Sequence, residues 1–254
     1  HFHWQPRVDL KDPNTRKVLQ LMGPRVISML FIQLIFLAQD NLGSRLSEGS
    51  VSALTYGWWI MQVPQTLLGT SIATAILPTL SEMFSNQQFD AIKLKIERAA
   101  RVMLTLTVPI AIIAGVVLLP LIRSFLGLDE TATMQVVNVS QVFLVGIVGH
   151  SLVELFVRSF YSLQKPLVPL MGSAFTLVVF ILLGIVLSPA LEAVGIASAN
   201  TIAYTLQALL LMLLLSKIMP SPFKLGGSLL KSLLAAAIGG GAAYAVINWV
   251  PGLA

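Results

Sequence analysis

Two helical stripes hold the side chains of this chain that are able to do chemistry. Trp58, Gln62, Gln65 and Gly69 are spaced i, i+4, i+7 and i+11, so a helix through them sets all four on one face. Pro64 falls within the arc of that face and lacks a backbone donor, so the helix is expected to kink there. His150, Glu154 and Arg158 are spaced by four and stack in the same way. These groups offer hydrogen bonds, one carboxylate–guanidinium pair and one imidazole. The first stripe reads either as the wall of a hydrated cavity beside a loosened helix or as a packing kink with polar glue. The second reads either as a structural salt-bridge stripe, in which Glu154 pairs with a neighbour, or as a proton relay through His150.

Other chemistry finds no support. The chain has no cysteine, which removes disulfides, thiolate metal sites and cysteine nucleophiles together. Of its three histidines, His1 and His3 belong to a polar tail, and no second ligand set accompanies His150. No metal or cofactor is therefore expected. A GxSxG elbow and a phosphate-cradling glycine loop are both missing, and Gly239-Gly240-Gly241 lies inside an apolar run, where close helix packing explains it. No cluster combines nucleophile, base and oxyanion donors, so enzymatic activity is not expected.

The stripes must be positioned by membrane-spanning helices. Hydrophobic residues make up 56% of the 254 residues, charged residues only 11%, and the mean hydropathy is +0.85. Ordinary globular domains carry about 25% charge. Apolar runs here approach the roughly twenty residues that cross a hydrocarbon core, and they are continuous, unlike the alternating segments of a transmembrane barrel. The fold class is accordingly all-α, a polytopic transmembrane bundle of about seven spans. They are expected near Val18–Gly43, Val51–Leu80, Val102–Ile122, Met134–Phe160, Leu167–Leu187, Val194–Leu215 and Leu229–Val250. Between the second and third, Phe89, Ile92, Ile96 and Ala100 recur at helical spacing beside Lys93, Lys95, Arg98 and Arg101, which reads as a basic surface helix.

Charge placement gives the orientation. In a seven-span topology, Arg7, Lys11, Arg16, Lys17, Arg25, Lys93, Lys95, Arg98, Arg101, Arg158, Lys165, Lys217, Lys224 and Lys231 fall on one side, and only Arg45 and Arg123 on the other. The N-terminus is therefore expected to be cytoplasmic. The sequence pI near 9.7 points to anionic lipid headgroups as partners and not to nucleic acid, because the basic residues flank spans. In the first span Gln33 lies at mid-membrane depth and is expected to face the bundle or a cavity, while Gln39, Asp40 and Asn41 sit near the outer end. The chain opens His1-Phe2-His3-Trp4 without a methionine and ends just after an apolar run, and so reads as a piece of a longer protein.

Several motifs then carry a resemblance. Met22-Gly23-Pro24-Arg25-Val26 is followed by Glu48-Gly49-Ser50-Val51-Ser52-Ala53-Leu54-Thr55-Tyr56, Met61-Gln62-Val63-Pro64, Gly69, and Ala73-Thr74-Ala75-Ile76-Leu77-Pro78-Thr79-Leu80-Ser81. Together with Arg158-Ser159-Phe160-Tyr161-Ser162-Leu163-Gln164-Lys165-Pro166, this order resembles the MurJ/MviN family of lipid II flippases, within the multidrug/oligosaccharidyl-lipid/polysaccharide exporter superfamily. The resemblance covers nearly the whole chain. It implies a fold of two six-helix lobes plus two extra helices, of which this chain supplies a cytoplasmic linker (1–17), the second lobe (18–217) and one additional helix (218–254). The missing first lobe becomes an expected partner, and the bacterial cytoplasmic (inner) membrane the expected location.

What the resemblance further implies is alternating access, with lipid II or a related polyprenyl-pyrophosphate glycolipid as substrate. The candidates to line its path are Arg25, Gln33, Gln62 and Gln65, with Tyr56, Trp58 and Trp59 as surfaces for sugar to stack on. Two departures stand out. Trp58-Trp59 replaces an acidic–arginine pair common in the family, and Gln62 replaces an acidic residue. The stretch Leu177 to Gly184, matching a helix where some members bind sodium, has no oxygen-bearing side chain, so no sodium site of that kind is expected. The alternatives are a transporter of another polyprenyl-linked glycan and a non-transporting membrane scaffold for cell-wall synthesis.

Overall fold

The computed structural model describes residues 13–223 and Gly227. These form α1 (Pro13–Gly43), α2 (Ser50–Pro64), a π-helical segment (Gln65–Thr70), α3 (Ser71–Ser85), α4 (Phe89–Leu126), α5 (Glu130–Ser162) and α6 (Leu167–Ser216). Among the described residues there is no strand, and five helical stretches are long and apolar enough to cross a membrane. The architecture is a polytopic transmembrane helix bundle. The expected seventh span, Leu229–Val250, and residues 1–12 of the expected linker lie outside the described residues, as do Arg7, Lys11, Lys224 and Lys231, while residues 13–17 of that linker already belong to α1.

The helices are arranged around α5. It packs against α2, the π-helical segment, α3, α4 and α6, and 67% of its most apolar window is buried, against 11% for α1. Its inner face runs through Val136, Ser140, Phe143, Ile147 and His150, all at i+3 or i+4 steps. Phe143, Phe156 and Phe160 are fully enclosed, and rings of this size contribute most of the core's dispersion energy.

Two elements differ from a simple alternation of spans. The basic surface helix and the third span form one helix, α4. At 1.5 Å per residue its 38 residues measure about 57 Å, far more than a 30 Å core, so the basic end projects beyond it. That end buries Ile92, Ile96 and Ala100 and pairs Lys93 with Glu97 at 3.3 Å. The fifth and sixth spans are the limbs of α6, a 50-residue element whose backbone leaves helical geometry at Glu192 (φ 50°, ψ −134°). The limbs, 167–191 and 193–216, fold back on each other. A Cβ on Gly172 would sit 3.3 Å from Gln207 and Leu211, whereas a straight helix would hold positions 172 and 207 about 52 Å apart. At this tip Ser47 Oγ donates to Glu192 Oε2 at 2.7 Å, tying the α1–α2 loop to the hairpin.

At Pro64, where a kink is expected, the described backbone changes helix type. Pro64 closes α2, and the next six residues widen into the π-helical segment before α3 resumes. Proline cannot donate to the carbonyl four residues back, and its ring crowds that carbonyl, so a wider turn relieves both problems. Pro64→Ala is expected to let the segment tighten and to withdraw position 66 from the surface. Because the chain has no cysteine, a single Thr66→Cys reports this directly. Its maleimide labelling rate in the intact protein should fall several-fold when Pro64→Ala is added, and an unchanged rate would refute the account.

Candidate functional site

A cavity of about 500 Å³ lies between α1, the α2–π–α3 rod, α5 and both limbs of α6. Helix α1 lines it with Arg25, Met29, Ile32 and Phe36, one stripe at i, i+4, i+7 and i+11. Opposite stand Trp58, Gln62, Gln65, Thr66 and Thr70, and α5 supplies His150, Glu154, Arg158 and Tyr161. Gly69 permits this arrangement. A Cβ there would lie 2.6 Å from Ser151 Oγ and 3.2 Å from Ser151 Cα, so only glycine lets the π-helical segment press on α5 this closely.

Charge gathers at one end of the cavity. Arg158 donates from Nε (3.2 Å) and Nη2 (2.9 Å) to Glu154 Oε2, which neutralises both. The Arg25 guanidinium lies 5.7 Å over the Tyr161 ring, and among the described residues it forms no salt bridge. Arg25 is exposed. The local excess is thus one positive charge, held by an aromatic face and open to an anion.

The other end is neutral and aromatic. His150 stacks on Tyr204 with ring centroids 3.9 Å apart, and Trp58 meets it edge-on at 5.3 Å. Trp58 also packs edge-on against Phe36 and Phe143. His150 Nε2 lies 3.1 Å from Asn200 Oδ1, a hydrogen bond for the Nε2-protonated imidazole. The His150–Glu154–Arg158 stripe therefore divides into an ion pair and a separately enclosed imidazole. Among the described residues no group of three or more His, Asp or Glu side chains is placed to hold a metal ion.

Of the residues singled out in the sequence, Arg25, Trp58, Gln62 and Gln65 share this cavity with His150, Glu154 and Arg158. Gln33, Tyr56 and Trp59 are not among its lining. Gln33, expected to face the bundle or a cavity, is exposed. Helix α1 buries Ser28, Ile35 and Gln39, a stripe that leaves Gln33 on the opposite, exposed side. Trp59 is exposed and meets half-buried Tyr56 edge-on at 5.9 Å.

Sequence reasoning passed over Asn200, Tyr204 and Gln207. Their i, i+4, i+7 spacing repeats that of Trp58, Gln62 and Gln65, and they are the largest polar side chains on a mostly apolar limb, which is a usable signal. They carry no formal charge, so charge bookkeeping does not point to them.

A family model described as lipid II flippase MurJ matches residues 1–253. A probable lipid II flippase MurJ of Rhizobium meliloti is 28% identical over 202 residues, covering 78% of this chain and 38% of that protein. A lipid II flippase MurJ of Burkholderia cenocepacia is 27% identical over 219 residues, covering 84% of this chain and 42% of that protein. The chain thus spans less than half the length of these relatives. A solved lipid II flippase MurJ in an inward closed conformation superposes with a TM-score of 0.76 at 20% identity, over 94% of this chain and 50% of that one.

Proposed function

The chain belongs to the lipid II flippase MurJ family, and from that premise we propose that it is one part of a flippase that moves lipid-linked peptidoglycan precursor across the bacterial cytoplasmic membrane. The observation that carries this reading is the cavity, which combines one unpaired cation with a neutral, aromatic and amide-lined remainder inside an apolar bundle.

Such a precursor has an anionic pyrophosphate, a sugar–peptide headgroup and a polyprenyl chain. Arg25 offers the pyrophosphate a charge-assisted contact. Trp58 and the His150–Tyr204 stack offer apolar ring faces to sugar. The cavity is open where exposed Arg25, Gln62 and Thr66 line it, and closed where α5 and α6 form its floor. We read the open side as the face that meets a second lobe, the headgroup being held between the two while alternating access exchanges its exposure. Fourteen basic residues against two favour a cytoplasmic N-terminus for this segment. The work is transport, with no bond made or broken and no cofactor required.

The test is complementation. The full-length gene that encodes this chain is expressed in bacteria depleted of their own flippase, and growth and outer-leaflet lipid II are scored. Rescue is expected. Arg25→Ala should slow transport about tenfold or more, the usual effect of losing a hydrogen bond to a charged group. Absence of rescue by folded, membrane-inserted protein would overturn the reading.

A further inference from the structure

We propose that Gln65, Tyr204 and Gln207 form a charge-neutral subsite within the cavity that binds the N-acylated sugar portion of the ligand. This deepens the flippase reading and rests on it.

Gln65 is 8% exposed and Gln207 3%, yet neither carboxamide has a hydrogen-bond partner among the described residues. Both line the cavity, from opposite walls: Gln65 opens the π-helical segment, and Gln207 sits on the second limb of α6. Neighbouring polar groups are already engaged. Ser173 Oγ donates to the Pro169 carbonyl at 3.0 Å, Thr176 Oγ1 to the Gly172 carbonyl at 2.9 Å, and His150 bonds Asn200. The Tyr204 hydroxyl likewise has no partner among the described residues, and Asn200, bonded to His150 through Oδ1, leaves its Nδ2 unpaired. Both carboxamides keep access to the cavity and have no partner among the described residues, so a polar group that enters the cavity, or water in its place, completes them.

The chemistry of these groups selects what enters. Each carboxamide donates two hydrogen bonds and accepts two, without formal charge. A cation would need a carboxylate, and Glu154 is engaged by Arg158. An anion is better served by Arg25. A group that mixes donors and acceptors within a small volume, and also has an apolar ring face, matches the amides together with Trp58 and the stacked His150–Tyr204 pair. An N-acylated pyranose has all of these properties.

Selectivity between two lipids tests this. The full-length protein in nanodiscs is titrated with a polyprenyl pyrophosphate and with the same lipid bearing an N-acetylated disaccharide. Gln207→Leu and Gln65→Leu should each lower the ratio of sugar-bearing to sugar-free affinity by about tenfold, as expected for one neutral hydrogen bond. Gln207→Glu, which keeps the volume, should also lower the ratio and guards against misfolding of the leucine variant. An unchanged ratio in all three variants would mean that water completes these amides, and would overturn the subsite while leaving the flippase reading intact. Failure of the wild-type protein to bind either lipid would overturn both.

Discussion

Gly195→Ala is expected to destabilise the intact protein by about 1–3 kcal/mol, although alanine ordinarily favours a helix. At the turn of α6, Gly195 packs against the chain of the first limb. A Cβ there would meet the Leu187 carbonyl oxygen, with the carbonyl carbon at 2.7 Å and Ser188 N at 3.1 Å. These are backbone atoms and cannot rotate aside, so the limbs must separate. Separation would loosen the contact of Gly172 with Gln207 and with it one wall of the cavity. The control is Gly115→Ala on α4, where an added Cβ meets nothing within 4 Å. Thermal unfolding in detergent should show a clear fall for the first substitution and none for the second. Equal behaviour would mean that the hairpin is less tightly closed than described.

Arg158→Ala should cost about 2 kcal/mol, between the 0–1 typical of exposed ion pairs and the 3–5 of buried ones. The intermediate value follows from intermediate burial, with 23% of the Arg158 side chain and 37% of Glu154 exposed. The loss arises mainly from stranding the Glu154 carboxylate in an apolar bundle. Replacing Glu154 and Arg158 together by glutamine should recover most of the stability, because neither charge is then left alone. Glu154→Gln by itself frees a second guanidinium beside Tyr161, which Arg25 already approaches, and should strengthen salt-sensitive anion binding. A double-mutant cycle on thermal stability measures the pair. If the double variant were as unstable as Arg158→Ala, the stranded-charge explanation would be wrong.

Much of the bundle is legible from residue order alone. Long apolar runs leave the backbone no partner but itself, so the existence of the helices follows from composition. Pro64 announces its disturbance because a missing donor is a local property. The π-helical form of that disturbance is less local, since it depends on how Gly69 meets Ser151 on α5, a residue remote in sequence. Facing is the weakest inference. The first span contains Gln33, Gln39, Asp40 and Asn41 in nine residues, and only its neighbours decide which are buried. Gln39 is 3% exposed while Gln33 lies open. The cavity's charged members stand out in an apolar background. The seating of Arg25 on Tyr161 does not, because nothing in the spacing of either residue refers to the other.

The wide turn at Gln65–Thr70 also bears on which insertions and deletions such a chain can tolerate. Each residue of an α-helix adds about 100° of rotation and 1.5 Å of rise, so deleting one residue within α2 or α3 would swing every later side chain to a new face. After a deletion in α2, Thr70 and Leu77 would leave the cavity, and the apolar side of α3 would leave α5. A π-helical turn already holds one residue in excess of α-helical register. Losing one there returns the rod to a regular α-helix and leaves both ends where they were. Within the α2–π–α3 rod this is the site where length can vary by one without reshuffling the bundle, so relatives whose rods differ in length are expected to align with a single-residue gap at that turn.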